Sequence, residues 1–261
     1  MIDLSIVILN YRTPDLLMEC LAALEQYPLT IGSSETWVVD NASGDGALER
    51  VRRRFPWART LQNERNWGFA GGNNRGIAHC SGRYFLLLNP DTRVHAGALD
   101  ELLRFMDANP RAGAAGGQLV GLNGEIQDSC REFPNLLAVL IRGSPLRGRL
   151  SRHPSLRRYL MSDWDHQSVR QVDWVLGACL MLRREAWQEV GPLDEGFFMY
   201  YEDIDWCYRA RRAGWMVYYI PSARITHHHR RDSARGFFNR LTKEHLKSII
   251  RLFWKHRLAW W

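Results

Sequence analysis

The sequence predicts an α/β protein with a Rossmann-like, mostly parallel central sheet flanked by helices. Two observations carry the prediction. Short apolar runs alternate with helical patterns through the first half of the chain, and the strand-like runs end on polar residues. A third observation sets the scale: 261 residues, 46% hydrophobic and 24% charged, suit a chain with a sizeable core rather than a disordered one.

LSIVIL at 4–9 reads as the first strand. A helical pattern follows, with Pro14 near its start, where a missing N–H costs nothing, and with Leu17, Cys20, Leu21 and Leu24 on one face. WVVD at 37–40 is a second strand, ALERVRRRF a charged segment, and 59–62 a short third strand. A Gly- and Asn-rich turn then leads into Ile77 and Ala78, and YFLLL at 84–88 continues the alternation. A further helix over 98–108 precedes the small-residue strand AGAAGGQLV. Between Asn123 and Arg170 the pattern gives way to Arg, Pro and Ser, with seven arginines from Arg142 to Arg170. Long loops with short helices are expected there, facing an acceptor or mobile. VDWVLGACLMLRR resumes as a strand or strand pair, followed by AWQEVG.

In such sheets ligands bind beyond the carboxyl ends of the strands. The residues placed there are Asn10 with Tyr11, Asp40 with Asn41, the 63–66 turn, and Asp91 at the end of LLLNPDT. Pro90 has no backbone donor and biases Asn89 toward an extended shape, so the leucine run stops and Asp91 is presented at the rim. GFAGGNNRG does not fit GxGxxG and falls between the third and fourth strands, which disfavours a dinucleotide-binding dehydrogenase; no GxxxxGK[ST] occurs. The segment is either a tight turn or a helix start that brings backbone N–H groups to a diphosphate.

YYEDIDWCYRARRAGW sets Glu202 and Asp203 at a helix start, where acids also occur for dipole reasons alone. The preceding FFMYY supplies a cleft wall able to raise a carboxylate's pKa, so a general base is one reading. THHH at 226–229 puts His227 and His229 on one face of a strand, as metal ligands beside a carboxylate or as a surface cluster.

Five scattered cysteines without a CxxC pair argue for a reducing cytosol and against a zinc ribbon or disulfide framework. No apolar stretch approaches bilayer length, and the run at 4–9, preceded by Asp3, is too short for a signal peptide, so the chain is expected not to cross a membrane. The net charge of +7 is a C-terminal property: residues 224–261 hold ten Lys or Arg against Asp232 and Glu244. The tail TKEHLKSIIRLFWKHRLAWW reads as a basic amphipathic helix with Leu246, Ile249, Ile250 and Phe253 on one face. It docks on the core or lies on an anionic membrane surface, and no basic-aromatic motif points to nucleic acid.

Taken in order, VILNYRT, VVDNAS, NWGFAGGNNRGI, LLNPDT, GACLMLRREAW, GPLDEGFFMYYEDIDWCYR and ITHHH resemble the inverting nucleotide-sugar glycosyltransferases of family 2, nearest the bacterial rhamnosyltransferases. The resemblance covers roughly residues 3–233. It implies a GT-A fold with a nucleotide-sugar half at 1–120, an acceptor and catalytic half at 121–233, and the basic helix at 234–261. It further implies that Asn10, Tyr11, Asp40, Asn41, Asn66, Gly68, Phe69, Asn73, Asn74, Asn89 and Asp91 surround the donor, with Asp40 on the pyrimidine. Asp91 matches the last Asp of the family's metal-binding DxD, whose first Asp is Asn89 here. His227, with His229 as the fallback, completes a site for Mg²⁺ or Mn²⁺. Asp203 matches the catalytic base, supported by Glu202 and Asp205.

The implied reaction moves rhamnose from dTDP-rhamnose, or a sugar from a UDP donor, to a glycan or lipid-linked acceptor in cell-envelope polysaccharide synthesis. The implied place is the cytoplasm, peripheral at the inner face of the membrane. The rival classes are a non-catalytic sugar-nucleotide or glycan-binding module, to which Asn89 is the direct pointer, and a nucleotidyltransferase. The latter would carry an early Gly- and Arg-rich triphosphate loop, which residues 10–14 lack.

Overall fold

Leu4–Asn10 (β1) alternates its apolar side chains between two cores, and the sheet is built outward from it. In the computed structural model, which describes residues 2–144, 148–228 and 240–257, β1 pairs in parallel with Ser34–Asp40 (β2) and with Tyr84–Leu88 (β4). Arg59–Gln62 (β3) lies parallel beyond β2 at one edge. On the other side β4 meets Cys179–Arg183 (β10), which runs antiparallel both to it and to Ala112–Val120 (β6). Next comes Met216–His227 (β11), parallel to β6, and then Thr92–Val94 (β5), antiparallel to β11. Arg170–Val172 (β8) also pairs with β11, which makes nine strands, while Cys130–Arg131 (β7) and Trp174–Val175 (β9) form a separate antiparallel pair.

Leu4, Ile6 and Ile8 face Pro14–Gln26 (α1) and Ala98–Ala108 (α4), meeting Leu17, Leu21, Leu102, Leu103 and Met106. Val7, Val39 and Leu87 face the opposite core with Ala70, Trp206, Cys207 and Leu252. Each large aliphatic side chain so buried contributes roughly 1.5–3 kcal/mol relative to exposure. Ala47–Arg54 (α2) covers β2 and β3 with Leu48 and Val51.

One expectation is corrected here. The Gly- and Asn-rich segment is not a turn but a helix, Gly68–Ile77 (α3). Its glycines are a contact stripe rather than punctuation: a Cβ on Gly72 would strike the Leu9 side chain, and one on Gly76 would sit 2.6 Å from Val7 Cγ1. The four-residue spacing puts both on the face that lies against β1. Close helix–sheet packing offsets the helix propensity lost at each glycine, about 1 kcal/mol relative to alanine. Gly68 itself has φ +73°, and a Cβ there would overlap the Phe198 carbonyl, so the entry to α3 admits only glycine.

The remaining helices are Leu136–Gly143 (α5), Pro154–Leu160 (α6), Arg184–Val190 (α7), Glu202–Arg212 (α8) and Arg240–His256 (α9). The apolar face expected of α9 is split in two. Leu252 and Phe253 are buried, and Ser248 Oγ donates to the Met199 carbonyl at 2.9 Å, so the helix docks on the core. Leu246, Ile250 and Trp254, spaced four apart, are 58%, 61% and 84% exposed and form a separate outward stripe.

Candidate active site

The register of the sheet aligns the polar strand ends. Asn10 pairs with Asp40 and Asp40 with Gln62, at the carboxyl ends of β1, β2 and β3. Asp40 accepts hydrogen bonds from Asn10 Nδ2 (2.8 Å), the Ser43 backbone N–H (2.9 Å) and Gln62 Nε2 (2.8 Å). Burial alone would raise its pKa, but these bonds together hold it below the usual carboxylate range. Ser43 and Gln62 did not figure among the expected site residues. The signal for Ser43 was the tripeptide NAS, in which the Asp40 carboxylate captures the N–H three residues on. Tyr11 stands at the rim, 39% exposed.

Asn41 is the hub of the next loop. Its side-chain oxygen accepts from Asn63 Nδ2 and the Trp67 N–H, and its Nδ2 donates to Asn66 Oδ1 (2.9 Å) and to the Gly68 carbonyl (3.0 Å). Asn66 in turn accepts the Gly68 N–H at 2.8 Å, which fixes the entry to α3. Phe69 donates its N–H to Phe198 O, and its ring lies where a Gly177 Cβ would come within 3.1 Å. Asn73 bonds the Phe69 carbonyl of its own helix, and Asn74 clamps Leu193 through both its amide atoms. Their side chains hold the fold together, whereas Asn10, Asp40, Asn41 and Asn66 form the lip of the sheet edge.

Asp91 and His227 are brought together by the pairing of β5 with β11, in which Thr92 lies opposite His227 and the His228 N–H donates to the Asp91 carbonyl at 2.8 Å. Asn89 begins this turn: its carbonyl accepts from Thr92 Oγ1 at 2.6 Å. His227 Nε2 is 3.6 Å from Asp91 Oδ1. Gln127 spends its Nε2 on the His227 carbonyl (2.9 Å), which leaves Oε1 to face His227 Nδ1 at 2.7 Å. Nδ1 therefore carries the ring proton, and Nε2 presents its lone pair on the side of Asp91. Burial and then the neighbouring His228 push the His227 pKa down to about 4, so the ring is neutral at physiological pH. Gln127, 100 positions away in the chain, thus holds the orientation of the His227 ring. No sequence signal marked it. His229, the alternative ligand, lies outside the described residues.

Asp203 sits at the start of α8, 7% exposed, where Oδ2 accepts the Gly177 N–H (2.9 Å) and Oδ1 the Ile204 N–H (2.8 Å). Burial raises its pKa against these two bonds. Glu202 is raised well above the carboxylate range, first by burial and then by the charge of Asp203, and its Oε2 has no hydrogen-bond partner among the described residues. Burial and mutual repulsion thus favour keeping a proton on this pair, with Asp203 the member whose carboxylate is stabilised by two N–H donors. Tyr200 and Tyr201 both adopt left-handed backbone, φ +69° and +70°, to deliver this pair. Such conformations cost of order 1–3 kcal/mol each and collect at functional sites.

Asp205, expected to support this pair, makes no hydrogen bond to it and reaches Glu202 only through its charge. It is fully buried on another side of α8 and binds Arg209 (2.9 Å), Lys255 (2.6 Å) and His256 (2.7 Å). A shift of two positions along a helix turns the side chain by roughly 200°, which points Asp205 at α9.

The two halves of the site are connected. Gly177, which donates to Asp203, is followed by Ala178, whose carbonyl accepts the Asn89 N–H at 3.0 Å. The turn after β9 thus links the α8 acids to the Asn89–Asp91 turn at the same sheet edge.

An acid whose pKa is raised by folding favours the native state fully below its ordinary pKa and loses that contribution as pH rises toward the native value. Glu202→Gln removes this liability. Its melting temperature relative to wild type should therefore climb across the pH window that opens above the ordinary glutamate pKa. Parallel stability curves across that window would show that Glu202 is not held protonated.

The model of "Glycosyl transferase family 2" matches residues 5–163, and that of "Glycosyl transferase family group 2" matches residues 149–261. The N-acetylglucosaminyl-diphospho-decaprenol L-rhamnosyltransferase of Mycobacterium tuberculosis is 33% identical over 238 residues, covering 86% of this chain and 76% of that protein. The rhamnosyltransferase WbbL of Escherichia coli K12 is 28% identical over 200 residues, covering 74% of this chain and 72% of WbbL.

Among solved structures, GalNAc-T7 with UDP, GalNAc and Mn²⁺ superposes with a TM-score of 0.68 at 16% identity, over 88% of this chain and 44% of its own. The mannosyltransferase PcManGT of Pyrobaculum calidifontis, with GDP-Man and Mn²⁺, gives 0.66 at 18% identity, over 98% of this chain and 66% of its own. The chain thus spans under half the length of the first and about two thirds of the second. These likenesses fix the architecture as the GT-A fold. With two family models spanning the sequence and a relative at 33% identity, the chain belongs to glycosyltransferase family 2.

Proposed function

We propose that this glycosyltransferase moves rhamnose from dTDP-rhamnose to a lipid-diphosphate-linked sugar in cell-envelope glycan synthesis, inverting the anomeric carbon in a single displacement. The observation that carries the reading is the link from Asp203 through the Gly177–Ala178 turn to the Asn89–Asp91 turn and His227. The rhamnosyl group and the lipid-diphosphate acceptor follow the relatives, one a rhamnosyltransferase named for a diphospho-decaprenol substrate, the other WbbL, while the dTDP carrier follows from the family resemblance of the sequence motifs.

The residues fit a divalent cation. Asp91 offers a hard oxygen, and the tautomer set by Gln127 turns a neutral imidazole nitrogen to the same side, 3.6 Å away. Among the described residues no group of three His, Cys, Asp or Glu is gathered for a metal. A site built on Asp91 and His227 suits Mg²⁺ or Mn²⁺ shared with donor phosphates, as both ligand-bound structural neighbours hold Mn²⁺. When bound, the cation neutralises charge on the leaving diphosphate. We assign residues 1–120 to the donor and 121–233 to acceptor and catalysis. Asn10, Tyr11, Asp40, Asn41 and the Asn66–Phe69 entry hold the nucleoside end, with Asn73 and Asn74 bracing it from α3. Asp203 takes the proton of the acceptor hydroxyl as that oxygen attacks from the face opposite the diphosphate, and Glu202 stays neutral beneath it.

A thermal-shift panel of dTDP-, UDP- and GDP-sugars with and without Mn²⁺ tests donor choice, since a ligand that binds only the native state raises its melting temperature. A dTDP-sugar with Mn²⁺ should give the largest shift. No shift with any sugar nucleotide would reject the donor site.

The membrane is engaged by the outward stripe of α9. No helix among the described residues is long and apolar enough to cross a bilayer. Leu246, Ile250 and Trp254 are exposed beside Lys243 and Lys247, which suits an anionic lipid surface at the cytoplasmic face. Replacing all three apolar residues by Gln spares the docked face and should lower cosedimentation with phosphatidylglycerol vesicles. Unchanged vesicle binding would remove the stripe from that role.

A further inference from the structure

Arg131 and Arg142 present an unusual arrangement of charge. Arg131, on β7, is 6% exposed. Its guanidinium donates to the Asp128 carbonyl (2.8 Å) and to Tyr159 Oη (3.4 Å), and lies 5.1 Å from the centre of the Trp174 ring. Its buried Nε–H has no hydrogen-bond partner among the described residues. Arg142, half-buried near the end of α5, donates to the same Tyr159 Oη at 3.3 Å. Two guanidinium groups therefore converge on one phenol oxygen.

Neither cation has a carboxylate within ion-pair distance among the described residues: Glu132 binds Arg158 at 2.7 Å, Asp173 binds Arg211, and the Asp203 carboxylate, which feels the Arg131 charge, is held by the Gly177 and Ile204 N–H groups. Converging like charges away from bulk water are unfavourable unless an anion joins them. Tyr159 accepts from both arginines, which leaves its own proton available to the same incoming group.

The cluster also adjoins the acids. Arg131 is paired in β-register with Trp174, three residues before the Gly177 that donates to Asp203. Tyr201, directly before Glu202, feels Tyr159, Arg142, Arg131 and Asp203 together. His245 of α9 packs edge-on against Tyr200 and Tyr201 at 5.1 and 5.3 Å, and so closes the far side.

We propose that Arg131, Arg142 and Tyr159 form a subsite for a phosphate or diphosphate group of the acceptor, beside the base and apart from the Asp91–His227 end. The inference rests on the transferase reading above and deepens it. Arginine is suited to the task because its planar fork matches phosphate oxygens and stays charged when buried. An acceptor held by its phosphate would have its sugar hydroxyl brought to Asp203 at fixed reach.

The test uses the full chain and the variants Arg142→Gln and Arg131→Lys, the second of which keeps the charge if the first perturbs folding. Tryptophan fluorescence titration with geranyl diphosphate, in EDTA and neutral detergent, reads the subsite without a metal-assisted donor site. Wild type should bind, and both variants should weaken binding about tenfold or more. In the transfer assay the ratio of kcat/KM for a prenyl-diphosphate-linked sugar to that for its neutral alkyl glycoside should fall about tenfold in Arg142→Gln. Equal binding in wild type and variants, or an equal loss with both acceptors, would overturn the subsite in favour of a structural strut. Loss confined to assays with added phosphatidylglycerol would assign the anion to a lipid headgroup and overturn the acceptor role. Arginine-dependent binding of geranyl diphosphate without transfer to any acceptor would leave an anion site and overturn the transferase reading instead.

Discussion

Asp203→Asn should lower kcat by about 10²–10⁴-fold, the usual contribution of a positioned general base, while the donor KM stays nearly constant. The amide preserves the volume, but its single oxygen can accept from only one of the Gly177 and Ile204 N–H groups, which donate to separate carboxylate oxygens at 2.9 and 2.8 Å, so a melting curve of the variant accompanies the assay. Along with one of these bonds it loses the ability to take a proton. Burial raises the Asp203 pKa, so the wild-type pH–rate profile should carry an acid limb above the ordinary aspartate range, with activity rising as the carboxylate ionises. That limb should vanish from the residual activity of the variant. A parallel loss of donor binding and turnover would mark Asp203 as a structural acid, and undiminished turnover would exclude it as the base.

Asp91→Ala acts at the other end. It removes the hard oxygen donor beside His227 while leaving the backbone bond from the His228 N–H to its carbonyl, 2.8 Å long, in place. The donor KM should rise at least about tenfold, and the stimulation of turnover by Mn²⁺ should disappear. Steady-state titration of Mn²⁺ at fixed donor checks this. A variant with wild-type cation dependence would exclude Asp91 as a ligand and favour a GT-A module working without metal, in line with Asn89 at the position of the first DxD aspartate.

Much of this was readable in advance, for identifiable reasons. The ends of β1, β2 and β4 were marked by apolar runs stopping at Asn10, Asp40 and Pro90, and the turn chemistry of those residues is local. The meeting of Asp91 with His227 was expected from the family resemblance rather than from the alternation pattern, because the short strand after Asp91 that pairs with β11 left no periodic signal. What escaped the sequence was set by partners distant along the chain. Gln127 orients a histidine 100 residues away. The glycines of α3 pass for turn residues until β1 is seen lying against them. Asp205 and Asp203 are two residues apart on one helix, yet only packing against α9 separates an anchor from a candidate base. The face of α9 was legible as amphipathic, but an apolar periodicity cannot show that half of it is docked and half left outside.

The central claim is that the α8 acid and the Asp91–His227 pair serve one bound donor in separate capacities. Calorimetric titration of dTDP with and without Mn²⁺, in wild type, Asp203→Asn and Asp91→Ala, tests it most directly. The gain in affinity on adding Mn²⁺ should be the same in wild type and Asp203→Asn, and absent from Asp91→Ala. A gain that survives in Asp91→Ala, or is lost equally in both variants, would contradict it.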